Sequence, residues 1–156
     1  MKKAFTMIEL IFVIVIIGIL AVIALPKLNA TRVDAKVSSI LANLKHVSID
    51  TASYYSARGE KDWINAKVQT ITDVPLFKDE ECNNQATNDT TFVGNLLYIC
   101  DDDKSVIKFD ANRTHLKIKK GSSNSSIANV VYDSKVFKAL SAPNGIRLGG
   151  VNVIKW

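Results

Sequence analysis

An apolar run near the N-terminus constrains this chain more than any other feature of its sequence. From Phe5 to Leu25 the only polar residues are Thr6 and Glu9. As a helix, these residues would span about 30 Å, which is roughly the thickness of the hydrocarbon core of a bilayer. We therefore predict a transmembrane helix over residues 5–25, followed by a domain of ordinary composition.

The charges that flank the run predict how the chain is oriented. Lys2 and Lys3 precede it, and basic flanks stay on the cytoplasmic side of a membrane. The C-terminal domain should therefore lie outside the cytoplasm. The formal net charge of the whole chain is +5, a mild excess that permits contact with nucleic acid or anionic surfaces without requiring it.

The segment ahead of the run differs from an ordinary secretory signal. A signal peptide has a basic region, a short apolar stretch and a small-residue cleavage site after that stretch. Here the basic segment is only residues 1–4, the apolar run is long, and a helical pattern continues beyond it. A cut near Ala24 is the alternative, and the length of the span disfavours it.

Glu9 is the most informative residue of the span. A carboxylate inside a membrane helix costs about 2.5–3.5 kcal/mol on insertion scales, so it persists where it has a partner or a function. Its position near Phe5 would allow it to reach the headgroups. Alternatively, cleavage after Ala4 would leave a charged amine on Phe5, which could neutralise Glu9 of a neighbouring subunit and fix the register of two helices.

A resemblance to a known family is carried by Lys3-Ala4-Phe5-Thr6-Met7-Ile8-Glu9-Leu10. This segment resembles the prepilin leader of type IV pilins and type II secretion pseudopilins, in which a prepilin peptidase cuts before an aromatic residue and methylates the new amino terminus. The resemblance implies that residues 1–4 are a leader, that cleavage falls between Ala4 and Phe5, and that Phe5 is N-methylated. It also implies that Glu9 serves assembly. The family usually has Gly before the cut. Ala4 is the next smallest side chain and should still fit a small subsite, although processing could be slower.

The same resemblance implies partners, location and function. The expected partners are other pilin-like subunits, a prepilin peptidase, and an inner-membrane assembly platform with its ATPase. The chain would cross the bacterial inner membrane once, with a cytoplasmic N-terminus and a periplasmic C-terminal domain, before joining a pseudopilus. A structural subunit for type II secretion or DNA uptake is the favoured function, with no cofactor and no enzymatic activity. A type IV pilus subunit and a membrane-anchored periplasmic binding domain are the alternatives.

The helical pattern continues past the span. Apolar residues at steps of three and four predict an amphipathic half of the same helix over residues 26–58, ending near Arg58-Gly59. Pro26 should bend this helix or loosen its hydrogen bonds. The apolar positions are Val33, Val37, Ile40, Leu41, Leu44, Val47 and Ile49.

Residues 59–156 are predicted to form a small globular region. Alternating patterns indicate strands at 95–100, 106–110 and 115–119, after a loop at 73–91. A short helix is favoured at 134–140, and 146–148 with 151–156 would form a last strand or edge pair. The predicted fold class is α+β and pilin-like, with one long N-terminal helix packed on an antiparallel sheet of three to four strands.

The chain has two cysteines, Cys82 and Cys100. The oxidising compartment that the orientation predicts would favour a disulfide between them. Such a bridge closes a loop of about 19 residues and would contribute roughly 3 kcal/mol on the chain-entropy model. Two separate buried thiols are the alternative.

Metal and catalytic signals are weak. His46 and His115 lack metal-like spacing, and there is no Gly-rich phosphate loop. The run Asp101, Asp102 and Asp103 could supply oxygen ligands to calcium, although adjacent acids more often mark a solvated turn. We therefore favour no metal.

Two further surface features remain as candidates. Lys117, Lys119 and Lys120 could contact DNA, although alternating lysines on a strand usually form its solvent face. Asp110-Ala111-Asn112-Arg113-Thr114 fits the extended bacterial N-glycosylation sequon, with an acid two residues before the Asn, which makes Asn112 a candidate glycosylation site. Asn29, Asn88 and Asn124 fit only the short form of the sequon.

Overall fold

The structure is a computed structural model that describes residues 6–149, with the backbone alone described at residues 25–29. These residues divide between two compact units, with the boundary between Ala35 and Lys36. The elements are α1 (Met7–Ile64), α2 (Val68–Ile71), β1 (Leu96–Asp101), β2 (Lys104–Ala111), β3 (His115–Lys120), α3 (Ser126–Asp133), α4 (Lys135–Leu140) and β4 (Ile146–Arg147). A long helix followed by a small antiparallel sheet confirms the predicted α+β, pilin-like class.

The helix α1 is interrupted at Gly59. There the backbone has φ 77° and ψ 178°, a conformation that glycine adopts without the steric cost that a Cβ would bring. The sequence predicted an end near Arg58-Gly59, whereas α1 is interrupted at Gly59 and extends to Ile64. Trp63, which is fully buried, lies on the helical turn after the interruption.

One face of α1 belongs to the core of the second unit. Val37, Ile40, Leu44 and Val47 are buried, and their steps of three and four residues place them on one side of the helix. Ile49 was grouped with them in the sequence pattern, yet it is 61% exposed. Only two positions after Val47, it falls on a different face.

The sheet is antiparallel throughout, in the order β1-β2-β3-β4. Leu97 lies opposite Phe109, which in turn lies opposite Ile118, so one row of apolar side chains crosses the three longer strands. A shift in register between Ile99 and Cys100 interrupts the β1–β2 ladder. The buried residues on this apolar face are Leu97, Ile99, Ile107, Phe109, Leu116 and Ile118.

The three predicted strands are confirmed to within a few residues, and β4 agrees with the predicted strand at 146–148. Residues 151–156 lie outside the described part of the chain. The helix α3 was missed, because residues 127–140 carried no clear single pattern. Serine caps define both short helices: Ser125 Oγ accepts from Ala128 N–H at 3.1 Å, and Ser134 Oγ accepts from Phe137 N–H at 3.1 Å.

Cys82 and Cys100 form a disulfide, as predicted, with their Cα atoms 6.1 Å apart. Because Cys100 lies in β1 and Cys82 in the preceding loop, the bond fastens that loop to the sheet. The carbonyl of Glu80 adds a second tie, since it accepts from Ser105 N–H of β2 at 2.9 Å. The loop is thus held to two neighbouring strands.

Replacing both Cys82 and Cys100 with Ser should lower the free energy of unfolding of the second unit by roughly 3 kcal/mol, because the unfolded chain regains the freedom of the closed loop. Urea unfolding of the full-length protein in detergent, followed by tryptophan fluorescence, measures this difference. Thiol labelling of the unfolded wild type without reductant should find no free cysteine. A wild type that is fully labelled, or no loss of stability in the double variant, would contradict the prediction.

Gly59→Ala should destabilise the second unit by about 1–3 kcal/mol, because alanine is strained in that backbone conformation. No atom lies within 4 Å of the position that a Cβ at Gly59 would occupy, so the cost comes from the backbone alone. Gly18→Ala is the matched control, since its Cβ also meets nothing within 4 Å and α1 is regular there. Equal stability of the two variants in the same urea assay would refute this assignment.

Candidate functional site

The N-terminal part of α1 is a candidate membrane anchor. Met7–Ala24 is long and apolar enough to cross a membrane, and none of it is buried within the protein. Its large apolar side chains are exposed all around the helix, including Phe12 at 66% and Val22 at 74%. A helix that is apolar on every side and uncovered by its own chain is suited to lipid or to other helices.

Thr6 and Glu9 form a capping box at the first turn of α1. Thr6 Oγ1 donates to Glu9 Oε2 at 2.7 Å, and the Thr6 backbone N–H donates to the same oxygen at 2.8 Å. In return, Glu9 N–H donates to Thr6 Oγ1 at 3.4 Å. The pattern Thr-x-x-Glu before an apolar run is the signature of such a box. The sequence prediction for Glu9 considered only headgroups and a neighbouring subunit, and therefore missed Thr6.

The box changes what Glu9 requires from its surroundings. Its carboxylate has a hydrogen-bonding partner within its own chain, and both bonds use Oε2. A negative charge in the first turn also interacts favourably with the helix dipole. Glu9 can therefore be stabilised in a single subunit, while Oε1 lies outside the box.

The roles predicted for several residues of this segment remain untested. Ala4 and Phe5, where cleavage and N-methylation are expected, lie outside the described residues. The backbone at Pro26 is assigned as helical, within α1, and the predicted bend there is untested. Pairing of Glu9 with an amine of another subunit needs a second copy and is likewise untested.

The acidic run at the β1–β2 turn meets a lysine of α1. Lys36 Nζ lies 2.9 Å from Asp101 Oδ1 and 2.9 Å from Asp102 Oδ2. Hydrogen bonds to Asp101, then to Asp102, raise the pKa of Lys36. Asp102 has a positive φ of 53°, as the turn requires. Two of the three acids proposed for calcium thus already contact a cation of the protein, whereas Asp103 is exposed.

The three lysines proposed for DNA contact do not share one surface. Strand alternation puts Lys117 and Lys119 on one face of β3 and Lys120 on the other. Lys119 Nζ lies 3.7 Å from Asp110 Oδ2, and Lys120 Nζ lies 4.8 Å from the centre of the Tyr132 ring. Contact with DNA stays a prediction. One face of β3 could supply two of the proposed lysines, Lys117 and Lys119, but not Lys120.

The two histidines were considered as metal ligands because imidazole is a common ligand. Among the described residues, no group of three or more His, Cys, Asp or Glu side chains could hold a metal ion. His46 is exposed on α1, and His115 Nδ1 lies 2.8 Å from Thr114 Oγ1.

Comparison with known proteins bears on the N-terminal segment. Residues 1–25 match the family described as the prokaryotic N-terminal methylation motif. No curated protein and no solved structure matches the chain. The matched residues contain the apolar N-terminal part of α1, Glu9 and the capping box. Residues 1–25 of this chain therefore carry a prokaryotic N-terminal methylation motif.

Proposed function

We propose that this chain is a structural, non-enzymatic subunit of a pseudopilus that serves type II secretion or DNA uptake. The observation that carries the proposal is the methylation motif over residues 1–25. Within this range, Glu9 lies in the first turn of an exposed apolar helix. A prepilin peptidase would cut between Ala4 and Phe5 and methylate the new amine. The methylated amine keeps its positive charge, so it remains a partner for a carboxylate.

Assembly would depend on the difference in electrostatic free energy between a Glu9 carboxylate that is paired with an amine and one that is not. In a bundle of apolar helices the dielectric constant is low, so a carboxylate and an amine from neighbouring subunits attract strongly. A subunit at the wrong height would leave one of these charges without its partner, which is unfavourable in such surroundings. The pair would therefore select one axial register.

The capping box would stabilise the Glu9 carboxylate in a subunit that has not yet assembled. Before assembly, Thr6 satisfies Glu9 Oε2, which lowers the cost of holding the carboxylate near the membrane. During assembly, the amine of a neighbour would bind Oε1 or take the place of Thr6. Thr6 would thus keep the subunit inserted without preventing its later pairing.

The second unit supports an assembled role outside the cytoplasm. Its disulfide fits the oxidising compartment that Lys2 and Lys3 predict for the C-terminal domain. The strands β1, β2 and β3 are joined by short turns, so this part of the sheet carries no long insertion of an adhesive kind. These features favour a short pseudopilus over a surface pilus. The assembly platform and its ATPase would supply the force for extraction from the membrane.

Replacing Glu9 with Ala should leave membrane insertion intact and abolish assembly, because the charge that sets the register is gone. Membrane fractionation measures insertion, and recovery of sheared filaments measures assembly. Glu9→Asp is the matched control, since it keeps the charge on a shorter side chain and should retain part of the assembly. Normal filament formation by Glu9→Ala would overturn the proposed role of Glu9, and an anchored binding domain would then explain the chain better.

Thr6→Val should speed amide hydrogen exchange at the first turn of α1 by a few-fold, because the helix loses its N-cap hydroxyl. Thr6→Ser keeps a hydroxyl and should exchange like the wild type. Hydrogen–deuterium exchange of the full-length protein in detergent micelles, read by mass spectrometry of N-terminal peptides, compares the three. Equal exchange in the Val and Ser variants would show that the capping box contributes nothing in a membrane-like environment.

A further inference from the structure

The turn between β2 and β3 carries the extended sequon, and its geometry sets it apart from the other sequons of the chain. We propose that Asn112 is the acceptor of an N-linked glycan. This inference goes beyond the proposed function and relies on its topology, because the turn must reach the compartment where glycans are transferred.

Of the two polar atoms in the Asn112 carboxamide, the oxygen is hydrogen-bonded within the turn. Its Oδ1 accepts from Thr114 N–H at 3.0 Å and from His115 N–H at 2.8 Å, which is the pattern of an Asx turn. The residue is exposed, and no bond joins its Nδ2 to the described part of the chain. A glycan on Nδ2 would therefore cost no hydrogen bond of the folded turn.

The backbone of the turn is anchored from below. The carbonyl of Asn112 accepts from Trp63 Nε1 at 2.9 Å, and its N–H donates to the carbonyl of His115 at 3.0 Å. Trp63 is fully buried, so the main chain is tied to the core while the carboxamide stays outside. This arrangement presents Nδ2 in a fixed position at the surface.

Asp110, the acid of the extended sequon, lies two residues before Asn112. Asp110 lies in the last part of β2, and Asn112 follows that strand directly, since β2 ends at Ala111. The Asp110 side chain is 42% exposed, and its contact is a 3.7 Å ion pair with Lys119 at the surface. Surface pairs of this kind contribute little, so the carboxylate is free to meet a basic group of a transferase.

The other three sequons lack an acid two residues before the Asn, where the chain has Lys27, Ala86 and Ser122. Their surroundings are also less suitable. Asn29 lies within α1. The hydroxyl residue of the second sequon, Thr90, is buried at 7% exposure. The hydroxyl residue of the last, Ser126, begins α3.

An open groove lies beside Asn112, lined by His115, Lys117, Pro143 and Asn144, with a volume of about 390 Å³. Such a polar surface can accept hydrogen bonds from the first sugar and donate to it. The donor would be a glycan linked to a polyprenyl pyrophosphate. Nδ2 attacks the anomeric carbon, the bond from that carbon to the pyrophosphate oxygen breaks, and the amide proton passes to a base of the transferase. The polyprenyl pyrophosphate leaves.

The test uses purified full-length protein in detergent, a purified bacterial oligosaccharyltransferase that requires an acid two residues before the Asn, and a polyprenyl-pyrophosphate-linked glycan. Intact mass spectrometry should show the addition of one glycan, and peptide mapping should place it on Asn112. Because the protein is already outside a membrane, failure here would overturn the acceptor assignment without bearing on topology. The Glu9 experiments test the proposed function separately.

Variants with matched chemistry sharpen the test. Asn112→Asp keeps an oxygen for the Asx turn and should abolish the added mass, and Asp110→Asn should do the same by removing the acid. Asn88→Asp and Asn124→Asp are the controls and should be modified like the wild type. Circular dichroism of Asn112→Asp should match the wild type, which separates loss of the acceptor from loss of the fold. A glycan on Asn88 or Asn124, or one that persists in Asp110→Asn, would refute the proposal.

Discussion

The carboxylate of Glu9 has to be stabilised wherever the first turn of α1 is placed, and this constraint links the local structure to the proposed assembly. Within the chain, Thr6 meets it through its hydroxyl and its backbone N–H. The Thr6 N–H is one of the donors that the start of a helix leaves without an intrahelical partner, and Thr6 Oγ1 in turn accepts from the Glu9 N–H. The same interaction thus solves two problems, the cap of α1 and the charge of Glu9. An amine from a neighbour would then add attraction to a carboxylate that is already oriented.

The helix α1 is adapted to two kinds of surroundings along its length. In Met7–Ala24 apolar side chains are exposed in every direction, as expected of a helix that contacts lipid or other helices. From Val37 to Val47 they are restricted to one buried face, with polar residues on the others. One continuous element can therefore contribute to a globular core and still offer an apolar surface for association.

Local patterns predicted the parts of the structure that depend on neighbours in sequence. The apolar run, the buried face with Leu44 and Val47, and the alternating strands all follow from periodicity. The pairing of Cys82 with Cys100 followed from their being the only two cysteines and from the expected compartment. Contacts such as that of Lys36 with Asp102, which are 66 residues apart in sequence, could not be predicted, because they depend on how the finished elements pack. The capping box also follows from a local pattern, Thr-x-x-Glu, but the sequence prediction for Glu9 considered only partners outside its own chain.

The two turns that flank β2 both contact α1 or its continuation, and the two contacts differ in kind. At the β1–β2 turn, the 44% exposed side chain of Lys36 pairs with Asp101, which is 10% exposed, and with Asp102, which is 78% exposed. Water and salt weaken the pair with Asp102 in particular. At the β2–β3 turn, Trp63 is fully buried and packs against Phe92 with ring centroids 5.5 Å apart. Its N–H would lack a partner in the core if it did not reach the carbonyl of Asn112. The Trp63 contact therefore ties the β2–β3 turn to the buried core, which gives a modified Asn112 a fixed support.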